Sequence, residues 1–216
     1  VEAAKNADIV ILTLGGKNGW GLHCTTGEGV DRTQFGLSGR QEELMKAVYA
    51  VNPNVVLVHT DITPIVSQFA YENIPAIMEG FLSGGYCGDA IARVITGELN
   101  PGGRLPISFP RHSGQLPVYY NQLPGWHGGK YCDLPATPLF AFGEGISYTT
   151  FEFSNLNFCK DSYTVTLDVE NTGKICWIVC HNTYRHAIEM CETNDQVSCE
   201  VFVNFQEFII IDDRMD

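Results

Sequence analysis

The sequence lacks several features that would assign it to large classes of protein. No run approaches the roughly 20 apolar residues that a membrane-spanning helix needs, and no basic segment followed by an apolar stretch marks a signal peptide. Basic residues are scarce, because 13 Lys and Arg stand against 25 Asp and Glu, for a formal charge of −12. Since an acidic surface repels phosphate groups, we expect neither nucleic-acid nor membrane binding.

Cofactor and metal motifs are missing as well. The glycine spacings fit neither a dinucleotide-binding fingerprint, nor a phosphate-binding loop, nor the nucleophile elbow of an α/β-hydrolase. No H-E-x-x-H motif occurs, and the eight cysteines form no C-x-x-C pair. His181 and His186 lie near cysteines but at no established metal-ligand spacing. We therefore expect no cofactor, no metal site, and free thiols rather than disulfides.

The most unusual stretch that is present is glycine-rich and covers residues 14–37, with seven glycines. It joins a short apolar run at 9–14, which predicts a buried strand, to a helical pattern that starts near Ser38. Within it, Gly27 and Gly29 flank Glu28. Because long loops in compact domains are functional or disordered, two interpretations are open: Glu28 reaches into an active site, or it is a solvated side chain on a surface loop.

Strand and helix patterns alternate around this stretch. Short apolar runs at 9–14, 55–58 and 75–78 predict buried strands, and residues 38–51, 64–71 and 90–95 have helical signals. Ser38 and Gln41 have the spacing of a capping box, and Pro64 stands where a first helical turn tolerates proline. The alternation predicts an α/β domain with a mainly parallel sheet.

The second half of the chain lacks this alternation of strand and helix patterns. Residues 110–148 are rich in Pro, Gly and aromatic residues without a period, which indicates a long ordered connection. Apolar residues then alternate with polar ones at 163–169, which predicts a half-buried antiparallel strand and the beginning of a β-sandwich module. One more strand is indicated within 201–211.

Several segments together resemble glycoside hydrolase family 3, the β-glucosidase and β-xylosidase type. The matching segments include VEAAKNADIVIL, TTGEGVDR, LSGRQEELMKAV, NPGGRLPISFP and FGEGISYTTF, and the match covers about residues 1–173 in the family's order. Two positions depart from the pattern: Cys87 stands where relatives often have Gly, and Glu144 where they often have Tyr.

The resemblance implies a domain plan. The family usually has a (β/α)8 barrel, then an α/β sandwich domain, then a fibronectin type III-like domain. We therefore expect a layered α/β sandwich at 1–112, a connecting segment at 113–150, the start of the third domain at 151–173, and a divergent Cys-rich tail at 174–216. We expect the chain to be part of a longer protein, with an incomplete β-sandwich module and a tail that is not native family sequence. A divergent but complete small β-module is the alternative for this tail.

The resemblance also implies an activity. Family members are similar to retaining β-glycosidases, in which one carboxylate attacks the sugar and another protonates the leaving oxygen. The family's nucleophile is an Asp on the barrel domain, and its acid/base lies on a loop of the second domain, where GEGVDR stands here. This makes Glu28 the acid/base candidate, acting on terminal β-linked glucose or xylose together with the N-terminal barrel domain.

Three further residues of this loop receive expected roles. We expect Asp31 and Arg32 to shape the loop as an ion pair. Trp20 either stacks on a sugar or anchors the loop by packing. Without the barrel the chain alone is expected to be inactive, and a stand-alone sugar-binding or interaction module is the alternative function.

Overall fold

A computed structural model describes residues 1–121, 131–161 and 164–175, and the backbone of three further strands at 177–180, 187–190 and 196–202. The chain divides into two compact units. The first contains residues 1–95 and 104–145, and the second contains residues 96–103 and 146–216. Each unit has its own sheet, parallel in the first and antiparallel in the second.

The first unit is built on a three-stranded parallel sheet. Its strands are β1 (Val10–Gly15), β2 (Val55–Thr60) and β3 (Ala76–Glu79), in that spatial order. The central strand β2 is buried along most of its length, which explains its nearly continuous β-branched sequence, since a strand covered on both faces needs no polar alternation. The α/β class with a mainly parallel sheet is therefore confirmed.

The described part of this unit also has three α-helices: α1 (Gln41–Val51), α2 (Gln68–Asn73) and α3 (Cys87–Ile95). The apolar core combines side chains of β1, β2, α1 and α2 with aromatic residues from the later part of the unit; it includes Leu12, Met45, Val48, Leu57, Ala70, Phe109 and Leu139. Phe109 and Phe140 pair as an antiparallel bridge and contact each other edge to face. Apolar residues within 104–145 thus belong to the same core as the sheet.

Two helix starts differ from the sequence-based expectation. The predicted capping box is wrong, because α1 begins at Gln41 with no side-chain cap. The Gln41 amide bonds to the Gly15 backbone and donates to Ser38 O and Oγ, not to a free backbone N–H of the helix start. Helix α2 begins at Gln68 rather than near Pro64, since the Ser67 hydroxyl accepts a hydrogen bond from Ala70 N at 3.1 Å. A serine in this position satisfies a backbone N–H that has no partner within the helix.

The described residues of the second unit form five strands: β4 (Phe151–Cys159), β5 (Thr164–Asn171), β6 (Trp177–Cys180), β7 (Ala187–Met190) and β8 (Gln196–Phe202). Strands β4, β5 and β8 form an antiparallel sheet in that order, and β6 pairs with β7. The strand expected at 163–169 is confirmed as β5. The strand indicated within 201–211 includes the end of β8, and its remainder lies outside the described residues.

Two further observations concern the thiol groups and the lengths of the helices. Cys24, Cys87, Cys132 and Cys159 are free thiols, of which the last two are exposed. Among the residues the structure describes, no helix is both long and apolar enough to cross a bilayer.

Candidate functional site

The glycine-rich loop, residues 16–40, begins at the carboxyl end of β1 and ends at α1. Gln41 ties its two ends together, because Oε1 accepts from Gly15 N and Nε2 donates to Gly15 O, both at 2.8 Å. Gly15 itself lies against β2, where a Cβ atom would be 2.0 Å from Thr60 O. The loop therefore begins where the backbones of β1 and β2 are so close that Gly15 cannot be replaced by a residue with a side chain.

The first half of the loop folds back on itself. Thr25 N donates to Lys17 O at 2.9 Å, and Lys17 N donates to the Thr25 hydroxyl at 2.6 Å. Thr26 Oγ1 donates to Gly19 O at 2.6 Å, and Gly21 N donates to Glu28 O at 3.0 Å. These bonds define the loop as a closed arc with Glu28 on its returning side.

Glu28 lies between two glycines on this returning side of the arc. Gly27 and Gly29 both have φ of +77°, a left-handed conformation that a side chain would strain. The Glu28 side chain is exposed, and within the described part of the chain its carboxylate has neither a hydrogen-bond nor an ion-pair partner. Two left-handed glycines thus flank an exposed carboxylate for which the described residues provide no partner.

Trp20 contacts the residue next to Glu28. A Cβ atom on Gly29 would lie 2.7 Å from Trp20 Nε1, so the indole covers the Gly29 backbone. The ring is 75% exposed, which leaves most of its surface available to a ligand. The structure supports packing against Gly29, while stacking on a sugar stays a prediction.

Arg32 is the residue that holds the arc to the sheet. Its Nη1 donates to Thr25 O at 2.8 Å and to the Thr63 hydroxyl at 3.0 Å, and its Nη2 donates to Gly36 O at 3.2 Å. Its ion pair is with Asp61, at 3.6 Å, rather than with the exposed Asp31 as expected. The physical reason is burial, since a buried carboxylate needs a counter-charge and a solvated one does not.

Asp61 and Thr63 contact the glycine-rich loop through Arg32, and the sequence analysis missed both. Both follow β2 directly, in the segment HTDIT. Polar residues just beyond the carboxyl end of a buried parallel strand were the available signal, because ligand sites in open α/β sheets form at that edge. The same edge carries His59, whose Nδ1 lies 2.7 Å from Glu79 Oε2, with both side chains buried.

One other feature of the described residues is a cleft. An open, mainly apolar cleft of about 490 Å³ is lined by Phe35, Pro64, Ile107, Leu116 and Tyr119 among others. None of the four predicted site residues lines it. In the described ranges no group of three or more His, Cys, Asp and Glu could hold a metal ion, and His181 and His186 lie outside the described residues.

Comparison with known proteins assigns the family. The model of the glycosyl hydrolase family 3 C-terminal domain matches residues 1–148. A β-xylosidase of Formosa agariphila is 41% identical over 184 residues, covering 81% of this chain and 25% of the relative. A periplasmic β-glucosidase of Salmonella typhimurium is 35% identical over 190 residues, covering 81% of this chain and 24% of the relative.

Solved structures agree with this assignment. The β-glucosidase of Listeria innocua in complex with glucose superposes with a TM-score of 0.73 at 27% identity, covering 93% of this chain and 32% of that one. The chain spans about a quarter of the length of the curated relatives it matches. The chain therefore belongs to glycosyl hydrolase family 3, whose C-terminal domain it contains.

Proposed function

We propose that this chain supplies the general acid/base carboxylate of a retaining β-glycosidase, and that this group is Glu28. The observation that carries the proposal is the arrangement of Glu28 itself. It is an exposed carboxylate without a partner in the described chain, held between two left-handed glycines on an arc that is bonded to its own strand end. A group that transfers protons to a ligand needs both a fixed backbone and free oxygens.

In this mechanism Glu28 acts twice. As an acid it donates its proton to the glycosidic oxygen while a second carboxylate attacks the anomeric carbon and forms a covalent glycosyl-enzyme. As a base it then takes a proton from the water that hydrolyses this intermediate. The second carboxylate must lie about 5–5.5 Å from the first, and we propose that it is an Asp on a (β/α)8 barrel domain outside these residues.

The substrate class follows from the relatives. The β-xylosidase and β-glucosidase with which the chain shares 41% and 35% identity support a terminal β-linked xylose or glucose as the sugar that is removed. Trp20 is a candidate for contact with that sugar, because its exposed ring lies beside Gly29. We propose stacking of the indole on the sugar or on the leaving group.

The test compares substrates that do and do not need an acid, in the enzyme expressed from the complete gene. Glu28→Ala should lower kcat/KM for cellobiose or xylobiose by about 10²–10⁴-fold, the usual contribution of general acid catalysis. A 2,4-dinitrophenyl β-glycoside should lose far less in the first step, because its leaving group needs no proton. Azide should restore part of the rate by replacing water in the second step.

The matched control for this test is Glu43→Ala. Glu43 is also an exposed glutamate, and it pairs only with the exposed Arg40 on the surface of α1. It should leave both substrates unaffected. If Glu28→Ala hydrolyses the disaccharide at the wild-type rate, the acid/base assignment is wrong.

The exposed ring of Trp20 favours one competing function, which is that of a stand-alone sugar-binding module without catalysis. Here the 216-residue chain itself is assayed on an aryl β-glycoside and titrated with glucose and xylose. We expect neither turnover nor saturable binding, because the nucleophile and most of the sugar pocket are proposed to lie elsewhere. Micromolar binding that Trp20→Ala abolishes would favour the module instead.

A further inference from the structure

The Asp61 carboxylate is held in place from three directions. Its Oδ1 accepts from Ile62 N at 2.7 Å, and its Oδ2 lies 3.6 Å from Arg32 Nη1. On a third side it rests against Gly16, where a Cβ atom would be 2.3 Å from the carboxyl group. The residue is 7% exposed, so its charge is a fixed point at the carboxyl end of β2.

Arg32 connects this fixed point to the arc that carries Glu28. Its guanidinium reaches Thr25 O on one side of the arc and Gly36 O on the other, and it also reaches the Thr63 hydroxyl. Residues 25 and 32 lie on either side of Glu28 in the chain, so the bond to Thr25 O closes a short ring that contains it. The planar fork of arginine can serve several acceptors at once, which a lysine cannot.

Displacement of the guanidinium therefore moves the arc as a whole. The bond to Thr25 O and the bond to Gly36 O both depend on where Arg32 lies, and that position depends on the buried Asp61 charge. Positioning of a reacting group matters steeply, since a misplacement of about 1 Å can cost roughly 10²-fold in rate.

We propose that Asp61 is a positioning residue for the Glu28 carboxylate, acting through Arg32 and touching no substrate. This inference rests on the proposed function, because it assigns Asp61 a role only if Glu28 is the acid/base. It predicts that loss of the Asp61 charge imitates the loss of Glu28 on a smaller scale.

The first arm of the test uses Asp61→Asn in the enzyme expressed from the complete gene. This variant keeps the size of the side chain and removes its charge. We expect kcat/KM for cellobiose or xylobiose to fall by about 10- to 100-fold. We expect kcat/KM for the 2,4-dinitrophenyl glycoside, which reports only the first step, to fall by less than about 3-fold. Glu43→Gln, which removes an exposed charge from α1, is the matched control and should change none of these values.

The second arm combines the variants. In the Glu28→Ala background, Asp61→Asn should cause no further loss on the disaccharide, because the group that it positions is absent. If Asp61→Asn slows both substrates equally and adds fully to Glu28→Ala, its role is structural only and the inference is overturned. If Glu28→Ala shows the leaving-group effect and Asp61→Asn does not, this inference fails while the proposed function stands. If Glu28→Ala shows no such effect, both fail.

The third arm measures the loop directly in the 216-residue chain by hydrogen exchange. Asp61→Asn should raise the exchange rate of amides within residues 17–36 by about 10-fold, with β2 unchanged. Arg32→Lys carries the same test if Asp61→Asn does not fold, since it keeps the charge but cannot reach all its acceptors. Unchanged exchange of the loop in the variant that folds would overturn the inference.

Discussion

Two carboxylates at this edge of the molecule, Glu28 on the glycine-rich loop and Glu79 at the end of β3, are in opposite surroundings. The side chain of Glu79, at the end of β3, is buried. Its Oε2 lies 2.7 Å from His59 Nδ1, and its Oε1 accepts from Phe81 N at 3.2 Å. Glu28 is exposed, and in the described chain its carboxylate has no such partner. A buried carboxylate whose oxygens are hydrogen-bonded within the protein contributes to stability. An exposed carboxylate without such partners is available to bind or react with a ligand.

The connections that follow the strands explain this difference. Gly80 N donates to His59 O at 2.8 Å directly after β3, so the chain turns at once and Glu79 stays inside. After β1 the chain instead leaves the sheet for residues 16–40 before α1 begins. Both regions lie at the carboxyl ends of parallel strands, the edge at which open α/β sheets bind ligands. The length of the connection decides which carboxylate reaches solvent.

The largest effect expected from this comparison is on folding. Glu79→Ala leaves His59 buried without its partner, and we expect a loss of about 3 kcal/mol in the free energy of opening of β2. Glu28→Ala removes only a solvated side chain and should change the same quantity by less than about 0.5 kcal/mol. Hydrogen exchange of residues 55–60 measures the free energy of opening of β2 in each of the two variants. Equal losses would contradict the contrast between the two carboxylates.

A smaller effect is expected where the loop leaves the sheet. Gly16→Ala places a methyl group 2.3 Å from the Asp61 carboxyl, and we expect a loss of about 2 kcal/mol from the forced displacement. The matched change is Gly88→Ala on α3, where a Cβ atom meets nothing within 4 Å. It should stabilise the helix by up to about 1 kcal/mol. Thermal denaturation of both variants should thus shift in opposite directions, and a shift of the same sign would refute the close approach at Gly16.

The smallest expected effect is at the base of the loop. Gln41→Leu removes both hydrogen bonds to the Gly15 backbone, and we expect about 1 kcal/mol of local destabilisation. This should appear as faster hydrogen exchange within residues 16–40 and little change in β2. Gln68→Leu, which breaks only an exposed bond to Glu72, is the control. If hydrogen exchange of residues 16–40 is no faster in Gln41→Leu than in Gln68→Leu, Gln41 does not hold the ends of the loop.

Sequence reasoning located the main elements because their signals are local. The apolar runs that became β1, β2 and β3 and the helical spacing of α1 each extend over a few residues. The glycine-flanked Glu28 was equally visible, since its unusual feature is its immediate neighbours. The assigned roles of Glu28 and Trp20 stay predictions, as do the domain boundaries after residue 112.

The hydrogen-bond and ion-pair partners of polar side chains could not be predicted from the sequence in the same way. Gln41 contacts the nearby Ser38, yet its amide also makes two hydrogen bonds to Gly15, because the sheet brings the end of β1 to the start of α1. Arg32 has an adjacent aspartate in the sequence, yet its counter-charge is Asp61, because that carboxylate is buried and Asp31 is hydrated.

By itself, the sequence determined the α/β class, the order of the strands and helices, and a carboxylate flanked by glycines on a long loop. The tertiary structure alone decided which polar groups meet: Arg32 with Asp61, Gln41 with Gly15, and His59 with Glu79. The physical reason is that periodicity and backbone preference act over a few residues. The cost of an unpaired buried charge or hydrogen-bonding group depends instead on which strand ends the sheet brings together.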